Sequence, residues 1–335
     1  MAQTRKLVTV YGATGNQGRS VVKSLLRAPD SFEVRAITRD PNSVAAQELS
    51  TLGASLVQAD GSQSNQMTEA FQGSWAVFLN INSDDPVFWD PKGPTEFDYG
   101  KRIIDSAIMA GVKTLVYSTG AACTELTKGT VSLRHLDTKN QIEMYARSTG
   151  AFENLVPIIP GYFLENFLFK QGAFIMGGFP WETDAEGYLT WKVPYWGGDE
   201  RIPFLSVADD FGDIVHGILI SPSEYHLQVV QAMSEITDYH KMTEAFAQVT
   251  GKKTRFQPVL PTWKAFDASG NQGFEDVKSM FGFTQETQGH YFGREATDDQ
   301  VSKNLKARAV LDYKESQQSS SLKTVRAWFA REFAA

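Results

Sequence analysis

The stretch Leu7-Val8-Thr9-Val10-Tyr11-Gly12-Ala13-Thr14-Gly15-Asn16-Gln17-Gly18-Arg19-Ser20-Val21-Val22 decides the fold. A β-branched, apolar run enters glycines spaced Gly-x-x-Gly-x-x-Gly, and the helix-forming segment "RSVVKSLLRA" follows at once. Each glycine answers a different steric demand. Gly12 permits the tight turn, Gly15 lets a diphosphate approach the backbone, and Gly18 lets the helix pack closely on the strand. The N–H groups and dipole at the helix start favour an anion there. Gly12, Ala13, Thr14, Gly15, Asn16, Gln17 and Gly18 are therefore expected to hold a dinucleotide.

Outward from this loop, strand-like runs alternate with helix-length segments. "KLVTVYG" precedes 16–28, "FEVRAIT" precedes 42–52, "ASLVQAD" precedes 63–72, "WAVFLNIN" precedes 95–110, "TLVYST" precedes 135–149, and "NLVPIIPG" closes the series. Successive βαβ units predict an α/β fold, a Rossmann-type doubly wound parallel sheet. Phe97, Ile104, Ala107, Ile108 and Val112 recur near helical spacing, which suits a helix covering one sheet face.

The second strand ends in Thr38-Arg39, where an NAD-selective site would carry an acid about 20 residues past the loop to bind the ribose 2′-hydroxyl. A guanidinium pairs with a 2′-phosphate that an acid would repel, so the sequence favours NADP(H). Arg19 could share that task, and a solvated loop charge is the other reading of Arg39. Asp60, after the third strand, either meets the adenine end or simply forms a turn before Gly61. Asn80, Ile81 and Asn82 close the fourth strand at the carboxyl edge, beside the nicotinamide or pyrophosphate side of the crevice.

After about residue 160 the rhythm breaks into a Gly-, Pro- and Trp-rich stretch with strands around 188–191 and 201–205. A helix over 211–219, a strand near 227–233, a helix over 239–250 and a strand at 254–259 follow. Residues 1–160 are expected to form the NADP(H)-binding domain, and 161–335 a smaller α+β lobe for substrate or partner, interleaved with the last sheet strands. "KESQQSSSLK" reads as an exposed cap before the amphipathic "LKTVRAWFAREF". Phe179, Trp181, Tyr188, Trp191, Tyr195 and Trp196 suit either a pocket for an aromatic or polyketide-like molecule or the core of the small lobe.

Composition narrows the partners. With 335 residues, 42% of them hydrophobic and 12% aromatic, the chain is globular. The 32 Lys and Arg against 39 Asp and Glu give −7, without a dense basic run, which speaks against direct nucleic-acid binding. One cysteine, Cys123, allows no internal disulfide, and the N-terminus enters a strand with no signal-peptide core. A cytoplasmic protein is expected, or a nuclear one if it regulates transcription through a protein partner. Apolar runs stop short of the ~20 residues that cross a bilayer. His216, His226, His240 and His290 show no metal-ligand spacing, so no metal is expected.

"VTVYGATGNQGRSVVKSLL", "VRAITRDP", "GKRIIDSAIMAGVKTLVYST", "HLDTK" and "PGYFLENF" resemble, in order, the NmrA-like family of atypical short-chain dehydrogenase/reductases. "IPFLSVADDFGDIVHGIL" extends a looser likeness. That family spans NADP(H)-binding redox sensors and transcriptional co-regulators as well as reductases. Ordinary short-chain dehydrogenases use Tyr-x-x-x-Lys, and here His135 stands in the place of the tyrosine and Lys139 in that of the lysine. The resemblance implies that Lys139 clamps the nicotinamide ribose. The i, i+4 spacing puts both residues on one helix face, with Asp137 pointing elsewhere. His135 either donates a proton to a ketone oxygen or only supports the cofactor. Ser118 and Thr119 stand where such enzymes place a substrate-polarising hydroxyl, or else cap the strand end. By the same likeness Pro160, Gly161, Tyr162 and Phe163 contact the nicotinamide, while Asn166 and Phe167 face the substrate. Interlobe core is the other reading of these aromatics. Tyr99 and "GHYFG" at Gly289–Gly293 are further candidates for the cleft wall.

Three functions are compatible with this pattern. The first is an NADPH-dependent reductase of a C=O or conjugated C=C bond in a small hydrophobic or aromatic metabolite. The second is a non-catalytic NADP(H) sensor acting through a protein partner, and the third a non-redox acid–base enzyme such as a dehydratase or cyclase.

Overall fold

A computed structural model describes residues 5–314 and 318–334. Its elements run β1 (Lys6–Tyr11), α1 (Asn16–Leu26), β2 (Phe32–Thr38), α2 (Val44–Thr51), β3 (Ser55–Gln58), α3 (Ser64–Phe71), β4 (Ala76–Leu79), α4 (Glu96–Met109), β5 (Thr114–Ser118), α5 (Cys123–Leu126), α6 (Arg134–Thr149) and β6 (Asn154–Pro160). There follow β7 (Tyr162–Phe163), β8 (Leu189–Val193), β9 (Ile202–Leu205), α7 (Gly212–Ile220), β10 (Val230–Ala232), β11 (Glu235–Thr237), α8 (Tyr239–Thr250), β12 (Thr254–Pro258), α9 (Gln272–Glu286), α10 (Gln300–Asp312) and α11 (Val325–Phe333).

The main sheet has seven parallel strands in the order β10-β6-β5-β4-β1-β2-β3. Strands covered on both faces have no polar face to show, and every residue of β4 (AVFL) and β5 (TLVYS) is buried. One face carries Val21, Val22 and Leu25 of α1 against Ile214, Val215 and Ile218 of α7 and Leu305 and Ala309 of α10. The other carries Met67 and Phe71 of α3, Ile103 and Ile104 of α4, and Ile142 of α6. This is the doubly wound arrangement that the alternating sequence predicts. A capping box starts α4, with Thr95 and Asp98 satisfying each other's backbone N–H groups.

The chain beyond residue 160 builds a second layer and then returns. Sheets β11-β9-β7 and β12-β8 pack with α8 and α11 around an aromatic core that includes Phe167, Phe179, Trp191, Phe246 and Phe329. Strand β10 and helices α7 and α10 rejoin the first layer. Lys306 Nζ sits 2.5 Å from Asp210 Oδ1 in this join, and Ser20 Oγ accepts from Gly212 N at 2.9 Å. In the polar stretch 314–323, residues 315–317 lie outside the described residues, Gln318 to Ser321 are exposed, and Lys323 N donates to Asp210 Oδ2 at 2.9 Å. Among the described residues no helix is long and apolar enough to cross a membrane, and no cluster of three His, Cys, Asp or Glu is placed to hold a metal.

Candidate functional site

The strand order reverses between β1 and β4, and parallel sheets gather ligands outside the carboxyl ends of their strands at such a point. A cleft of about 670 Å³ lies there. Its walls come from the turn after β1 (Gly12, Thr14 to Gln17), the end of β2 (Thr38, Arg39), the segment after β4 (Asn80 to Asp85), the end of β5 (Ser118, Thr119), α6 (His135, Leu136, Lys139) and the β6–β7 corner (Pro160 to Phe163, Asn166). Met280 of α9 and Tyr291 complete it from the second layer.

The glycine turn opens the floor. Gly15 caps α1 with no side-chain acceptor, which leaves first-turn N–H groups free for an anion. A Cβ on Gly15 would meet only the Gly12 carbonyl oxygen, at 3.4 Å, so the space above it is open. Gln17 reaches across to β5, where Ser118 Oγ donates to its Oε1 at 2.7 Å. Ala13 and Gly18 shape the turn from below instead of facing the cleft: Ala13 is fully buried, and Gly18 abuts the Gly12 carbonyl.

At the β2 end, Arg39 is 57% exposed and pairs with Asp85 through Nη2–Oδ2 at 2.8 Å and Nη1–Oδ1 at 3.2 Å. Asp85 also accepts from Val87 N at 3.1 Å, which fixes the short turn Pro86–Phe88. Arg19 is turned away toward Glu48 of α2, so it does not share this corner. Asp60 follows its turn-forming reading. Its Oδ1 accepts from Ser62 N at 2.7 Å and from Tyr99 Oη at 3.3 Å, and the carboxyl stays below its usual range because these bonds outweigh the effect of burial. Tyr99 accepts from Tyr11 Oη at 3.1 Å and packs edge-on to Phe88, which places it on the cleft lining at the Arg39 end.

At the other end, Lys139 and His135 share the cleft-facing side of α6, while Asp137 caps α5 by accepting from Thr124 N at 2.9 Å. Lys139 Nζ donates to the Ile81 carbonyl at 2.6 Å and lies 3.2 Å from Glu96 Oε1, which also accepts from Ser83 Oγ at 2.9 Å. Glu96 is buried and its Oε2 has no partner among the described residues. Burial lowers the Lys139 ammonium below the ordinary lysine range, and Glu96 opposes that shift. His135 Nε2 lies 3.1 Å from Asp276 Oδ2, 3.6 Å from Asp84 Oδ1 and 2.6 Å from Arg134 Nη2. Thr119 Oγ1 donates to the Lys139 carbonyl at 3.2 Å.

Comparison with known proteins identifies the family. The sequence pattern of the NmrA-like family matches residues 4–329. The chain belongs to the NmrA-like family. An NmrA-like family domain-containing oxidoreductase of Penicillium ochrochloron is 97% identical over 335 residues, 100% of both chains. One of Aspergillus flavus is 52% identical over 334 residues, again 100% of both chains. Among solved structures, NmrA, a negative transcriptional regulator, in complex with NADP, superposes with a TM-score of 0.72 at 18% identity, covering 99% of this chain and 96% of that one. The last likeness concerns the fold.

In this NmrA-like chain two groups of aromatic residues sit elsewhere than on the cleft. Phe167 points into the second core, packed on Phe179, Trp191 and Phe329 at ring distances of 5.7, 5.2 and 5.5 Å, because the single turn Leu164–Leu168 rotates it inward. Phe179, Trp191 and Trp196 are likewise core, and Trp181 and Tyr195 are partly exposed, so none of these five lines the cleft. Neither does Tyr188, which lies under the Arg255 guanidinium. Residues that the sequence reading missed are Glu96, Asp84, Asp85, Asp276, Leu136 and Met280. Only the acidic "SDDP" after "NIN" carried a local signal, since its position past a strand end put it on the ligand edge.

Proposed function

We propose that this NmrA-like protein is an NADPH-dependent reductase of a C=O or conjugated C=C bond in a small hydrophobic metabolite. The observation that carries the reading is one continuous cleft with Arg39 at one end, uncapped helix N–H groups at the middle and half-buried, paired Lys139 at the other. These residues fit the cofactor. The N–H groups suit a pyrophosphate, the Arg39 fork suits a 2′-phosphate, and Lys139 suits ribose hydroxyls. NADPH, when bound, supplies a hydride. Leu136, Phe163 and Met280 give the reacting end an apolar wall that favours a hydrophobic substrate and excludes water. The names of the close relatives, all oxidoreductases, support the same reading, which goes with a cytoplasmic protein.

Consumption of NADPH with aldehyde, enone and quinone probes tests it, and no turnover with any of them in a protein that binds NADPH would count against it. Arg39→Ala is expected to weaken NADPH binding about 10- to 100-fold, the range for about 1.5–3 kcal/mol of charge-assisted hydrogen bonding. NADH binding should stay within about twofold of the parent, since NADH lacks the 2′-phosphate; equal losses for both would place the phosphate elsewhere.

A sensor acting through a protein partner is the second reading. It is favoured by the confinement of His135 between Asp276 and Asp84, which removes Nε2 from proton donation into the cleft. A partner that binds equally to the oxidised and reduced complexes would exclude it.

A further inference from the structure

The reductase reading leaves the proton donor open, because each group expected to serve is already engaged. Ser118 Oγ donates to Gln17 at 2.7 Å, Thr119 Oγ1 donates to the Lys139 carbonyl at 3.2 Å, and Lys139 Nζ is committed to Ile81 and Glu96. The His135 Nε2 edge faces Asp276 at 3.1 Å. Two phenols on the same cleft wall have no such commitment. Tyr162 is 5% exposed and Tyr291 is 8% exposed, both border the cleft, and neither hydroxyl makes a hydrogen bond among the described residues. Tyr117 and Tyr239 also lack partners among the described residues, but their hydroxyls are sealed inside the cores.

Packing holds both rings in place. Tyr162 and Tyr291 lean on the same Trp196 ring at 6.3 and 5.5 Å, and Tyr162 also abuts Phe204 at 5.7 Å while Tyr291 abuts Phe292 at 5.3 Å. Neither hydroxyl is among the sealed ones, so each is free to donate to a ligand oxygen in the cleft.

Resting on the reductase reading, we propose that Tyr291, seconded by Tyr162, is the catalytic hydrogen-bond and proton donor to the substrate carbonyl, in place of the tyrosine that the motif lacks at position 135. As the carbonyl carbon accepts a hydride from NADPH, a C–H bond forms and the C=O π pair moves onto oxygen. An O–H bond then forms with the phenol proton, and the phenolate regains a proton from solvent as product leaves. Burial raises both phenols, so they stay protonated donors at ordinary pH, and an alkoxide is basic enough to take their proton. Tyr162 comes from the β6–β7 corner and Tyr291 from the loop after α9, so the donor pair exists only where the two layers meet.

The test uses 4-(dimethylamino)cinnamaldehyde bound to the complex of the full chain with NADP⁺, where no hydride can transfer. This push–pull aldehyde absorbs to the red when its carbonyl accepts a strong hydrogen bond. The parent should give a red shift, Tyr291→Phe a smaller one, the double variant Tyr162→Phe, Tyr291→Phe none, and His135→Gln the parental shift. On any aldehyde that the parent reduces with NADPH, the double variant should lose about 100-fold in kcat with little change in KM. An undiminished shift in the double variant, or no shift in the parent, overturns the proposal. A direct NADPH titration of the parent separates the failures: binding without a shift sinks only the phenol assignment, and no binding sinks the reductase reading with it.

Discussion

Replacing Lys139 with alanine is expected to weaken NADPH binding about 10- to 100-fold and to destabilise the protein in the same step. The first effect follows from losing a donor and cation at the end of the cleft proposed to take the ribose, about 1.5–3 kcal/mol for a charged hydrogen bond. The second follows from what remains. Glu96 keeps a buried carboxylate whose Oε1 loses its 3.2 Å cation and whose Oε2 had no partner among the described residues to begin with. Breaking a buried pair from one side costs about 3–5 kcal/mol. Lys139→Met combined with Glu96→Gln removes both charges, so it should recover stability without recovering NADPH affinity. Thermal melts and cofactor titrations on the two variants tell the effects apart. If Lys139→Ala binds NADPH like the parent, Lys139 is a structural cation and not a clamp.

The same pair sets a pH dependence. Lys139 is 13% exposed, and burial lowers its folded pKa below the ordinary lysine range against the opposition of Glu96 and Asp84. A lysine lowered on folding binds its proton less tightly when folded. The penalty it imposes on stability is therefore full below its folded pKa and is relieved as pH rises from there to the unfolded lysine's pKa. Affinity for NADPH runs the other way and falls as the cation is lost, at a lower pH than for an exposed lysine. In Glu96→Gln that alkaline limb should move lower still.

Gly18→Ala is expected to lose both the fold around the turn and NADPH binding, whereas Gly15→Ala should lose binding alone. A Cβ at position 18 would stand 2.2 Å from the Gly12 carbonyl oxygen, 2.7 Å from its carbon and 2.8 Å from Ala13 Cα, all backbone atoms that cannot swing aside. Gly12 cannot yield either, since its φ of +76° and the Asn80 carbonyl, 2.6 Å from any Cβ there, already fix it. Overpacking of this kind costs about 1–3 kcal/mol or more. At position 15 the nearest atom to a new Cβ is 3.4 Å away, so the methyl group enters only the space a pyrophosphate needs. Equal melting temperatures for Gly15→Ala and the parent, with NADPH binding reduced at least tenfold, are the expected outcome. Unchanged binding in Gly15→Ala would place the phosphates elsewhere.

Local chemistry made half of this site legible. Glycine spacing, a strand-end Arg39 and the i, i+4 pair His135 and Lys139 each act through sequence neighbours, and the structure brings them to one cleft. Residues that act through distant partners left no such trace. Glu96 reads as an ordinary first-turn acid of α4, and only the approach of α6 turns it into the counter-ion of Lys139. Helices α9 and α10 were hidden for a similar reason. The interior glycines Gly273 and Gly282 blur α9, and the buried stripe of α10 contains Ser302 and Lys306, polar residues satisfied by Gln231 and Asp210 far along the chain. Aromatic content left the second layer undecided, because Phe167 and Trp191 look the same in sequence whether they line a pocket or fill a core.

A cleft built for a nicotinamide dinucleotide carrying a 2′-phosphate is expected to tell NADPH from NADH. Parallel titrations of the parent protein with NADPH and NADH, followed by nicotinamide fluorescence at low salt, test it most directly. Binding of NADPH about 10- to 100-fold tighter than NADH is the expected result, and equal affinity, a preference for NADH, or no binding of either would contradict it.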